Sequence, residues 1–177
     1  MGNEAVVGAF DAINAAIAVL TAEVDETCPA ASADADPLHT LADDCLDILA
    51  GVARSEPRLA ALKAQAAAKY AQTTSSAAPP DAWPQAQEMA AAAEIACVLT
   101  IGPGAAGALL SQANELATLP LTMSALQAGT ISWQHARAMV DETSCLDPAG
   151  TAALEAHFLD PESLSSYLCK RGGASSV

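Results

Sequence analysis

Aromatic side chains are almost missing from this 177-residue chain: Phe, Trp and Tyr together make up 3% of it. Its core must therefore be aliphatic, and burial of aliphatic surface stabilises by only about 25 cal/mol per Å². Basic residues are equally scarce. Residues 1–53 hold ten acids and no Lys or Arg, and residues 71–134 again hold no Lys or Arg. With a formal charge of −14, most of the chain repels phosphate backbones and anionic lipid. The one net-positive stretch is Arg54–Lys69, where Arg54, Arg58, Lys63 and Lys69 face a single acid, Glu56.

Cysteine lacks a pattern. Cys28, Cys45, Cys97, Cys145 and Cys169 are odd in number and form no CxxC pair, which argues against a disulfide framework or a zinc knuckle. The expectation is buried, reduced thiols in a cytoplasmic protein. Met1-Gly2-Asn3-Glu4 lacks the positive region of a signal peptide, and Val6 stands where a myristoylation motif wants Ser or Thr. The uncharged run Ile95–Asn114 has the length of a membrane span, but Gly102-Pro103-Gly104 breaks it. No transmembrane segment is expected from it, and no membrane partner.

What the chain has in abundance is alanine, 44 residues. Ala loses no side-chain entropy in a helix, so the composition favours helices. Val6, Phe10, Ile13, Ile17, Leu20 and Val24 recur at steps of four and three, the stripe of a helix over about 4–24 with Asn3 as its N-cap. Residues 28–36 read as a loop. Asp36-Pro37 then supplies an N-cap and an N1 proline to a second helix, whose face is Leu38, Leu41, Cys45, Ile48, Leu49 and Val52. Pro57 kinks or restarts that helix, which continues to about Ala71. The two helices, residues 1–71, are expected to form a long antiparallel hairpin through the Phe10/Ile17 and Leu41/Ile48 stripes.

Residues 72–82, rich in Thr, Ser and Pro, read as an exposed linker and subdomain boundary. Residues 83–161 read as a cluster of short helices, at about 84–99, 104–118, 121–128, 133–143 and 148–158. The breaks fall at Gly102-Pro103, Leu119-Pro120, Gly129 and Asp147-Pro148. Gly129 suits a C-cap in the left-handed region and Ser132 suits the next N-cap, with Ile131 and Trp133 expected to be largely buried. Residues 162–177 are expected to be a divergent, disordered tail. The fold class is all-α.

No constellation carries chemistry. His39, His135 and His157 are isolated, outside any HExxH or His-Asn-His spacing. Asp25-Glu26 and Asp43-Asp44 are neighbours that point to different helix faces, so neither forms a shared-proton dyad. The run Gly102–Gly107 lacks the strand and the Lys of a phosphate loop. The expectation is no catalytic residue, no cofactor and no metal. The segment Glu94–Pro120 does have a helix-turn-helix outline, yet its second helix offers only Gln112 and Asn114 beside Glu115 as base readers. DNA as a partner is therefore disfavoured by charge. Candidate partner contacts are His135, Arg137, Arg54, Arg58 and Lys63; Gly129, Ser132, Trp133 and Pro120 are structural candidates.

The run Leu119-Pro120-Leu121-Thr122-Met123-Ser124-Ala125-Leu126-Gln127-Ala128-Gly129-Thr130-Ile131-Ser132-Trp133-Gln134-His135-Ala136-Arg137 fits the pattern LPxTxxALxxGxIsxxHA. With Glu94-Ile95-Ala96, Asp141-Glu142-Thr143, Leu146-Asp147-Pro148-Ala149-Gly150 and Ala153–Pro161, it resembles the actinobacterial domain of unknown function 222, the thirteen-E-twelve repeat family. The resemblance covers about nine-tenths of the chain. It implies a helical domain of the kind that commonly precedes an HNH endonuclease module. Family members typically carry arginines on the helix after the turn, where this chain has Gly107, Ala108 and Leu109. The likeness ends near Pro161, so the chain looks truncated before that module and any nuclease activity would lie outside it. The expected function is that of a non-catalytic helical domain, either a remnant of a nuclease-linked protein or a partner-binding piece that has lost its effector, with a protein partner or a second copy of itself as the candidate partners. The alternative is a DNA-binding accessory domain of a mobile-element or nuclease-linked protein.

Overall fold

The computed structural model describes residues 2–25, 37–79 and 83–159. Among them are seven helices and no strand: α1 (Gly2–Asp25), α2 (Pro37–Ala77), α3 (Pro84–Leu99), α4 (Pro103–Leu116), α5 (Pro120–Ala128), α6 (Trp133–Thr143) and α7 (Pro148–Leu159). The all-α expectation holds. The expected tail after residue 161, the loop at 28–36 and the side chains of His39 and Leu41 lie outside what is described.

Proline sets most helix starts. Pro37, Pro84, Pro103, Pro120 and Pro148 each stand first in their helix, where the missing N–H is no loss and φ is already helical. Pro57 is different, because it sits inside a continuous α2 and is buried. A proline there leaves the carbonyl four residues back without its helical donor. That carbonyl belongs to Ala53, and the chain divides into two compact units, Met1–Ala53 and Arg54 onward, at that residue. Residues 72–77, the first part of the expected linker 72–82, belong to α2. The hydroxyls there turn back onto the helix: Thr73, Thr74 and Ser76 donate to the carbonyls of Lys69, Tyr70 and Gln72.

In the first unit every α1 residue from Glu4 to Asp25 is exposed. Phe10 and Ile17, expected in a hairpin seam, are 49% and 54% exposed. Asn3 lies inside α1, which begins at Gly2, so it is not the N-cap. The helical period of the stripe was legible, but a period does not supply the surface that covers it.

The second unit is packed. One cluster joins Ala61 and Ala64 of α2 to Ala113, Leu116, Leu119, Leu126, Ala136 and Val140. A second joins Ala67 to Ala91, Ile95, Ala96, Ala106, Leu109 and Leu110. Alanines of α2 and α4 bring backbones close, and the leucines fill the space between them, each contributing roughly 1.5–3 kcal/mol when fully buried. Trp133 packs against both clusters and Ile131 against the first, and each is half-buried. The thiols depart from expectation: Cys97 and Cys145 are exposed and Cys45 is half-buried. On α3 the buried side is Ala91, Ile95 and Ala96, and Cys97 falls off it.

Candidate functional site

Helices α3 and α4 meet at 111° across the three-residue turn Thr100–Gly102, the geometry of a helix-turn-helix. Sequence reading put the special backbone at Gly102-Pro103, but the left-handed residue is Thr100, at φ 52°. Its N–H donates to the Cys97 carbonyl at 3.4 Å and the Ile101 N–H to that of Ala96 at 3.1 Å, which closes the end of α3. A β-branched residue is strained there. The would-be recognition helix α4 buries Ala106, Leu109, Leu110, Ala113 and Leu116. What it exposes is Pro103, Gly104, Ala105, Ala108, Ser111, Asn114 and Glu115, with Ser111 donating to Glu115 at 3.0 Å. No cation stands on that face.

The basic candidates do not assemble into a patch. Arg54 and Arg58 are one turn apart, whereas Lys63, nine residues from Arg54, points about 180° away. Arg58 is committed to the fold: Nε and Nη2 donate to the carbonyl of Ala128 at 3.3 and 3.1 Å. This ties α2 to the end of α5, where Gly129 caps the helix at φ 77°. A Cβ on Gly129 would stand 2.5 Å from the Arg54 carbonyl oxygen. Glycine is therefore required twice, by its dihedral angle and by the approach of α2.

Ser132 caps α6 as expected, accepting from the His135 N–H at 3.3 Å, while Nδ1 of His135 accepts from the Ser132 N–H at 3.4 Å and lies 2.8 Å from Oγ. The result is a capping box with histidine in the third position. His135 is thus held at the helix start. Arg137, two residues on and about 200° around the helix, is exposed on another face. The two do not form a joint contact surface. His157 stacks edge-on with Phe158, ring centroids 4.9 Å apart.

The run Leu119–Ala136 builds core and helix ends. Leu119 and Leu126 are core, Pro120 starts α5, Gly129 ends it, Ser132 and His135 cap α6, and Ala136 is buried. Thr122 leads to the residue that sequence reading missed. The N-cap of α5 is Leu119, which has no side chain to satisfy the first-turn donors. Glu155 of α7 does so from a distance: Oε1 accepts from the Thr122 N–H at 2.8 Å and from its hydroxyl at 2.7 Å. Glu155 is only 2% exposed. The available signal was an N-cap unable to cap, followed by the lone acid of α7.

Beside Glu155 lies a groove of about 620 Å³, walled by Glu115, Thr118, Leu119, Pro120, Val140, Thr143 and the start of α7. A second groove of about 590 Å³ runs between α2 and α4, and there Lys69 donates to Gln72. Among the described residues no group of three or more His, Cys, Asp or Glu is placed to hold a metal ion.

Comparison with family models, curated proteins and solved structures finds no match. The site must therefore be read from its own chemistry.

One exposed element remains. Within Glu4–Asp25 of α1 an 18-residue window has a mean hydropathy of 1.8, so this helix is long and apolar enough to cross a membrane, a feature not expected from the sequence. The other apolar stretch, α3 with α4, is bent by 111° and is not a single straight span.

Proposed function

We propose that this chain is a non-catalytic, cytoplasmic helical interaction module that offers α1 to a protein partner with a basic, apolar groove. The carrying observation is that α1 exposes Val6, Phe10, Ile13, Ile17, Leu20 and Val24 along one stripe, on a unit with ten acids and no Lys or Arg. Helix-in-groove recognition reads such i, i+3, i+4, i+7 anchors. Charge selects among occupants. Asp11 lies in the middle of α1 and would cost about 2.5–3.5 kcal/mol at a bilayer centre, and no cation flanks the helix. A second copy would set acid against acid. A basic groove meets both the apolar stripe and the charge.

The resemblance to the domain of unknown function 222 supports this reading, since that domain accompanies nuclease modules without being one. So does the Leu119–Ala136 run, whose patterned positions build core and caps. The test uses the full chain and a synthetic amphipathic helix of Leu and Lys as probe. Binding that is lost in the Phe10→Ser/Ile17→Ser variant, and with Glu in place of Lys in the probe, supports the proposal. Equal binding by the variant sinks it, as does self-association or vesicle binding that outcompetes the probe.

The helix-turn-helix geometry favours a second reading, a DNA-binding accessory domain. Affinity from phosphate contacts falls with salt at a slope of roughly −0.9 per phosphate. Duplex titration at low and physiological salt should show no binding, because α4 exposes no cation and Arg58 is occupied. Salt-sensitive micromolar binding weakened by charge reversal at Arg54, Arg58 or Lys63 would favour DNA instead. Metal-dependent cleavage would overturn the non-catalytic reading.

A further inference from the structure

We infer that the groove beside Glu155 is a binding site for a small organic cation, an alkylammonium or alkylguanidinium group with an apolar stem. The inference is independent of the α1 reading. It starts from the second oxygen of Glu155. Oε1 takes both bonds from Thr122, and Oε2 takes none from any described residue. No buried side-chain oxygen among the described residues is left without a partner. Oε2 is therefore the atom through which this 2%-exposed carboxylate meets solvent, and Glu155 lines the groove.

Three hydroxyls of the wall offer acceptors. Thr118 donates its hydroxyl hydrogen to the carbonyl of Glu115, Thr143 to those of Met139 and Val140, and Ser144 to that of Asp141. Each hydroxyl thus has only lone pairs left for the groove. Glu115 adds a second carboxylate, and no Lys, Arg or His lines the cavity. Two helix N-termini also border it, with part of their donors already taken: Glu155 accepts from the Thr122 N–H in the first turn of α5, and Asp147 accepts from the Gly150 N–H at 2.7 Å. Helices α4 and α6 present their C-terminal, partially negative ends. Leu119, Pro120, Val140, Leu146 and Pro148 supply the apolar wall for a stem. The volume, about 620 Å³, is that of a small-molecule site.

The test is calorimetry and amide chemical-shift mapping of the full chain with butylammonium, butylguanidinium, butyrate and 1-butanol at fixed ionic strength. Both cations should bind saturably, with shifts at Leu119, Val140 and Leu146, and at least tenfold more tightly than butyrate or butanol. Glu155→Gln keeps an acceptor for Thr122 but removes the charge, and should weaken the cations tenfold or more. Ala152→Trp fills the groove from its exposed wall and should abolish binding with melting little changed. If Glu155→Gln does not fold, Ala152→Trp together with Glu115→Gln decides the matter. Butanol binding as tightly as butylammonium, undiminished cation binding by the folded variants, or no saturable cation binding by the wild type would each overturn the inference.

Discussion

The two units use one alphabet to opposite effect. In α1 the large apolar residues stand in a regular stripe and are all exposed, whereas in the unit from Arg54 onward Leu110, Leu116, Leu119 and Leu126 are sealed. Hydrophobic period is therefore evidence for a helix and not for burial. Burial needs a facing surface, and the second unit has one because Ala61, Ala64 and Ala67 let neighbouring helices approach α2.

The largest expected contrast is between matched truncations. Leu126→Ala should cost about 2–5 kcal/mol of unfolding free energy, since it leaves a cavity in a packed core. Leu20→Ala in α1 should stay within about 0.5 kcal/mol, as exposed substitutions do. Urea unfolding of both variants measures it, and equal losses would mean that α1 is buried in solution.

Next is Gly129→Val, which places a β-branched residue at φ 77° and a Cβ against the Arg54 carbonyl. A loss of about 3 kcal/mol is expected from strain and displacement together. A variant that melts like wild type would show that the α2–α5 junction yields freely.

Glu155→Ala strands the Thr122 donors in the interior and should cost about 2–3 kcal/mol, while Glu155→Gln, which retains an acceptor, should cost about 1 kcal/mol. The ordering is the content of the prediction. Reversal would mean that this carboxylate is a burden on the fold.

The smallest effects concern turns. Thr100→Gly should stabilise by about 1 kcal/mol, because glycine relieves a left-handed threonine. Ser132→Ala should destabilise by about 1 kcal/mol through loss of the α6 cap. Thermal melts of the pair should shift in opposite directions.

Much of the local chemistry was legible, although the start of α1 and the left-handed Thr100 were not. Proline at a helix start, Gly129 at a helix end and the Ser132 cap follow from dihedral preference and short-range hydrogen bonding, and α3 and α6 have the limits that sequence reading assigned. Illegible were the contacts that join residues far apart in sequence. Nothing local tells that Arg58 reaches Ala128, or that a helix beginning at Leu119-Pro120 borrows its cap from Glu155.

Sequence alone determined the helical class, because alanine and period-3.6 stripes leave no competing backbone, and it determined the acidic, arginine-poor surface of the first 53 residues. Tertiary structure decided which stripes are covered, which acid is buried and which cation is spent. Those outcomes depend on the free energy of surfaces brought together, and a single helix does not contain its partner's surface.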